Sequence, residues 1–103
     1  MTFEAANPPE RIALAWYDRE QWELLRDRSI DPEELDSSFD EWELNAVQAE
    51  CELRARGIEV LRVPVTAQAL SSWCKSRNRP LNRAARAAFV AHLFRLQSLG
   101  GKV

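Results

Sequence analysis

His92 is the single histidine of this 103-residue chain, and Cys51 and Cys74 are its two thiols. A general base, a zinc shell or an activated nucleophile would have to be assembled from these three and from carboxylates. The cysteines have no CxxC spacing, and one imidazole cannot complete a zinc site with them. Cys74 and His92 could form a nucleophile and base if the fold brought them together. Both lie inside helical patterns, where cysteine ordinarily fills a small apolar gap and histidine packs with one nitrogen satisfied. The three glycines are Gly57, Gly100 and Gly101, so neither a GxGxxG loop, a P-loop nor a Gly-x-Ser-x-Gly elbow can be written. The carboxylates Asp31, Glu33, Glu34, Asp36, Asp40, Glu41 and Glu43 could bind a hard cation or act as paired acid and base. Three of them are accounted for as helix caps or first-turn residues, and the calcium-loop pattern is absent. No catalytic residue, cofactor site or metal site is assigned.

The basic stretch Lys75, Arg77, Arg79, Arg83 and Arg86 carries a clearer functional signal. It spans the junction of two predicted helices, with Arg83 and Arg86 at the start of the second. That arrangement resembles helix-turn-helix DNA readers, in which arginines hold phosphates and an asparagine such as Asn78 or Asn82 reads a base edge. Against it stand a turn without glycine and a pI of about 5.4, low for a nucleic-acid binder. All sixteen acidic residues lie at or before Glu59, where six arginines leave a formal charge of −10; the remainder carries eight cations and no acid. Such polarity must be matched within the fold, by a sister subunit or by a charged partner.

The elements that must position these groups are well marked. Arg11–Tyr17 is almost continuously apolar, as in a strand covered on both faces. Asp18 caps a helix that fades near Ser29, with Gln21 at its third position and Tyr17 stapled to Trp22. Asp31-Pro32-Glu33-Glu34 starts a turn of helix. Ser38, with Glu41 completing a capping box, opens a long helix whose buried face is Phe39, Trp42, Ala46, Ala49 and Leu53. Gly57 ends it in a left-handed conformation, with Ile58 folded onto Leu53. Ile58–Val65 is a second strand, placed at an edge by Pro64. Thr66 caps a third helix with Leu70, Trp73 and Cys74 on its apolar side, and Asn82 caps a last helix ending at Gly100-Gly101.

The order strand, helix, helix, strand, helix, helix predicts a small, mostly helical, two-layer α/β domain, α+β being the alternative, with two parallel strands. Residues 1–10 read as a loose start, 11–99 as one domain and 100–103 as a flexible tail. Two strands make a poor sheet, and the first is too apolar for an edge left in water. Pairing with its copy in a second subunit would give four strands ordered 2-1-1′-2′. The last helix has one apolar face in Ala85, Phe89, Leu93 and Leu96. Val90 and Phe94 lie about 100–140° round from Phe89 and are either ordinary core or shared with a neighbour. Val90, Phe94, Ala13 and Ala15 are therefore the candidate dimer interface.

Ile12-Ala-Leu-Ala-Trp-Tyr17, Phe39-Asp-Glu-Trp42, Gly57-Ile-Glu-Val-Leu-Arg-Val-Pro64, Trp73-Cys74 and Ala84-Ala-Arg-Ala-Ala-Phe-Val90 together resemble a family of short bacterial proteins of unknown function. The resemblance runs from Arg11 to about Arg95. It implies a bacterial cytoplasmic protein and brings no activity with it. Low cysteine use agrees with reduced cytoplasmic thiols, and no apolar run approaches the ~20 residues of a membrane span. The chain is expected to be a non-enzymatic, homodimeric interaction or regulatory domain without cofactor. The alternatives are a nucleic-acid-binding regulator using the basic stretch, and a small enzyme or ligand binder using Trp16, Tyr17, Cys74 or His92 at the strand ends.

Overall fold

In a computed structural model, described over residues 10–100, the chain forms β1 (Arg11–Trp16), α1 (Arg19–Arg28), a 3-10 turn (Pro32–Glu34), α2 (Phe39–Ala55), β2 (Glu59–Pro64), α3 (Ala67–Ser76) and α4 (Arg83–Gly100). Apart from Glu10 and Gly100, the expected loose start and flexible tail lie outside the described residues. The architecture is the predicted α/β one: a two-stranded parallel sheet, with Arg11 level with Glu59 and Trp16 level with Pro64.

The helix starts follow from local chemistry. Asp18 Oδ1 accepts from Gln21 N at 2.8 Å, Ser38 Oγ from Glu41 N at 3.1 Å, Thr66 Oγ1 from Ala69 N at 3.1 Å, and Asn82 Oδ1 from Ala85 N at 3.0 Å. Each satisfies a donor that the first turn leaves without a helical partner. The capping boxes differ from expectation at their third positions. Glu41 takes the N–H and hydroxyl of Ser37 instead of the Ser38 N–H, while the Gln21 side chain caps α3 by accepting from Ala67 N at 2.7 Å. Gly57, at φ +82°, turns the chain out of α2, and Ile58 N bonds back to Leu53 O at 3.1 Å.

Side chains alternate along the strands. Ala13, Ala15 and Val63 share one face and pack into a core with Tyr17, Trp22, Leu25, Leu70, Cys74, Ala85, Phe89 and Val90. Trp16 and Arg62 share the other face. α2 lies there, its Trp42 ring edge-on to Trp16 at 5.4 Å and its Glu50 bonded to Arg62. The sheet thus has α2 on one face and α4 on the other.

β1 has a helix over each face, yet Ile12 to Trp16 are only half-buried, because its outer edge is open among the described residues. One expectation is corrected. Leu96 does not continue the buried face of α4 and is 53% exposed. An 18-residue helix runs about 27 Å against about 20 Å for a six-residue strand, so the end of α4 overshoots the sheet. Val90, left open between core and interface, is a core residue at 8% exposure.

Candidate functional site

The hydrogen bonds at the two ends of the parallel ladder show which way β1 presents its backbone. Glu59 N donates to Glu10 O at 2.8 Å, and Val65 N to Trp16 O at 3.0 Å. In a parallel pair alternate residues turn both main-chain groups toward the neighbour. The even-numbered residues of β1 therefore face β2, and Arg11, Ala13 and Ala15 present N–H and C=O along the open edge. By the same parity the nitrogen of Pro64 lies on the outer edge of β2, where its missing donor costs no ladder bond.

The open edge of β1 is the floor of a groove of about 720 Å³. Trp42, Asn45, Ala46 and Ala49 of α2 form one wall; Ala87, Val90, Ala91 and Phe94 of α4 form the other. Ala13, Ala15, Val90 and Phe94, the candidate interface residues, all line it. Val90 gives it only a rim, its bulk being in the core, while Ala13, Ala15 and Phe94 are half-buried. At the Phe94 end the Arg11 guanidinium stands 6.0 Å from that ring and reaches Glu59 at 3.2 Å. At the other end Asp36 accepts from the Asn45 side chain at 3.2 Å. The lining residues between these ends are largely small and apolar.

The basic stretch is not brought together as one surface. Arg86 is buried, and its Nη1 donates to Ser29 Oγ at 3.0 Å and to Asp31 Oδ1 at 2.9 Å. Arg83 donates its backbone N–H to Asp31 Oδ2 at 2.9 Å and stands 3.4 Å from Glu34 Oε1. Arg77 and Arg79 turn toward Trp73, with guanidinium carbons 4.8 and 5.5 Å from the ring centroid. Of this stretch, Lys75, Arg77 and Arg79 have no carboxylate partner among the described residues.

The carboxylates are similarly engaged. Burial alone would push the Asp31 carboxyl up, but Arg86 and the Arg83 N–H outweigh it and hold it below its usual range. Glu41 is held low by Ser37. Glu50, a buried acid that the sequence reading missed, is held low chiefly by the two-bonded Arg62, against its own burial, and pairs also with Arg54 at 3.3 Å. Its position between Ala49 and Leu53 on the half-buried stripe of α2 was the available signal. Among the described residues no three histidine, cysteine, aspartate or glutamate side chains converge as a metal site requires.

A second cleft, of about 580 Å³, opens at the carboxyl ends of the strands and includes Trp16, Tyr17, Arg62, Glu43 and Thr66. Two of the four residues proposed for a ligand pocket, Trp16 and Tyr17, are there. Cys74 and His92 are elsewhere. Cys74 is buried and its thiol is pushed up by burial, partly offset by Arg79, the reverse of what a nucleophile needs. His92 packs against the rings of Trp73 and Phe89 at 5.8 and 6.3 Å. The helix starts beside the cleft have their leading N–H groups capped by Asp18, Gln21 and Thr66, and Arg62, 3.8 Å over the Trp16 ring, is committed to Glu50. Little of its polar equipment is left for a ligand. Comparison with protein-family models, with curated proteins and with solved structures finds no match for this chain.

Proposed function

We propose that the chain is a non-enzymatic interaction domain of the bacterial cytoplasm that works by self-association, its binding surface being the open edge of β1. The observation that carries this reading is the row of main-chain donors and acceptors at Arg11, Ala13 and Ala15, unpaired among the described residues, on the floor of an apolar groove. An apolar edge left in water invites an added strand, and natural sheets ordinarily block such edges with charge or proline. β2 follows that rule with Glu59, Arg62 and Pro64; β1 has no charge and no proline from Ile12 to Trp16. Strand addition supplies affinity through main-chain bonds, and the groove walls supply selectivity.

Light scattering of the wild type should give twice the 11.8 kDa chain mass. Ala13→Pro removes one donor from the open edge and leaves the β2 ladder in place, so it should give a monomer with unchanged circular dichroism. Ala91→Glu, at an exposed position on the groove wall, should do the same. A wild type of single-chain mass at every concentration, or variants that still dimerise, would remove this reading.

A second reading, nucleic-acid binding, is favoured by Arg77 and Arg79 around Trp73, which with Lys75 have no carboxylate partner among the described residues. It predicts affinity for duplex or single strands that falls steeply with salt. No retardation at low salt ends it.

A further inference from the structure

Resting on the self-association proposed above, we infer that the occupant of the groove is β1 of a second copy, running antiparallel, with Leu14 beside the two-fold axis. The direction follows from the hydrogen-bond pattern. Two identical chains related by a two-fold must use the same groups in the same way. In a parallel ladder the two strands are not equivalent, whereas in an antiparallel one facing residues exchange both bonds.

The register follows from which residues are free. Among the described residues of the strand only Arg11, Ala13 and Ala15 present main-chain groups on the open edge, so odd-numbered residues must face odd-numbered ones. Two such registers overlap the strand well. One sets Ala13 against itself and places Trp16 opposite the partner's Glu10. The other sets Ala13 opposite the partner's Ala15, Leu14 opposite the partner's Leu14 and Ile12 opposite the partner's Trp16. The second keeps every facing pair from Ile12 to Trp16 apolar, which is the arrangement that stabilises a sheet.

The walls fit an occupant that brings its own helices. Ala46 and Ala49 on α2, with Ala87 and Ala91 on α4, leave room for close helix approach where larger residues would grip a bare peptide. The ends fit as well. Antiparallel docking carries the partner's Arg11 toward Asp36, whose carboxylate takes only the Asn45 amide among the described residues.

Site-directed oxidation distinguishes the registers. With Cys51→Ser removing the exposed thiol, Leu14→Cys should form an intermolecular disulfide readily. Its Cα atoms would stand about 4.5 Å apart, within the range a disulfide spans. Ala13→Cys alone should cross-link poorly, but a mixture of Ala13→Cys and Ala15→Cys chains should cross-link with one another. This second arm does not depend on how the Leu14 variant folds. A dimer in which Ala13→Cys chains cross-link among themselves, and the mixed pair does not, overturns the register while leaving self-association intact. A single-chain mass by light scattering removes the occupant altogether.

Discussion

Replacing Arg86 by alanine asks whether this cation is part of the scaffold or part of a binding surface. Its guanidinium is buried under the turn between α1 and α2 and donates from one nitrogen to both Ser29 and Asp31. Removal leaves the Ser29 hydroxyl, itself in a buried residue, without that donor, and leaves the Asp31 carboxylate facing Arg83 N–H alone. Breaking a fully buried ion pair costs about 3–5 kcal/mol. Here the side chains retain 10% and 17% of their surface, so we expect about 2–4 kcal/mol after discounting for solvent. At about 4–8 °C per kcal/mol for a domain of this size, Tm should fall by about 8–32 °C. Arg79→Ala, a half-buried cation resting on Trp73, should cost less than about 1 kcal/mol. The loss should also depend on pH with a definite sign. Asp31 is held below its ordinary value in the folded chain, so its contribution is complete above about pH 4 and disappears as pH falls through the lowered value. The gap between wild type and Arg86→Ala should therefore be widest near neutrality and narrow in acid. Differential scanning calorimetry from neutral to acidic pH measures it. A neutral-pH difference under 3 °C, or a gap that widens in acid, refutes the buried-pair argument.

Alkali tests another buried group. Tyr17 is the only tyrosine, and burial, partly offset by Arg86, pushes its phenol up to about 12. Its folded value lies above the unfolded one of about 10, so stability is complete below pH 10 and should fall by about 2–3 kcal/mol as pH rises to 12. Phenolate absorbance in the native state with a midpoint near 10 would contradict this. Gly57→Ala should cost about 1–2 kcal/mol in chemical denaturation, purely from backbone conformation, because φ is +82° and no atom lies within 4 Å of an added Cβ. A loss well above that range would mean the methyl group meets something.

The elements were legible because their signals are local. Asp18, Ser38, Thr66 and Asn82 each cap the helix they precede, and the stripe from Phe39 to Leu53 faces inward as its spacing requires. What the sequence concealed depends on contacts between distant positions. Arg86 sits one turn from Arg83 and looks like a second surface cation, yet a residue more than fifty positions earlier buries it. Glu50 looks solvated until Arg62 is brought over it from β2. The groove was partly legible: Ala13, Ala15 and Phe94 were singled out for their apolar surplus. Only the ladder at Glu10 and Trp16 reveals that this surplus surrounds unpaired backbone.

The charge asymmetry along the chain is the feature most changed by folding. Arg62, Arg83 and Arg86, from the acid-free part, close onto Glu50, Glu34 and Asp31 of the acidic part. Two of these contacts tie the 3-10 turn region to the start of α4, elements far apart in the chain, and the third ties α2 to β2, the strand that follows it. Of the three, only Arg83–Glu34 is an exposed surface pair, contributing little, about 0–1 kcal/mol, and serving mainly to fix orientation. Part of the polarity that suggested an external partner is thus consumed in fixing α2 against β2 and the start of α4 against the 3-10 turn. That placement is also what leaves the edge of β1 open between the two helices. The same pairing that removes Arg83 and Arg86 from a nucleic-acid surface builds the groove in which self-association is proposed. Loosening the Arg86–Asp31 contact should consequently weaken dimerisation as well as folding, with no change to any residue on the open edge.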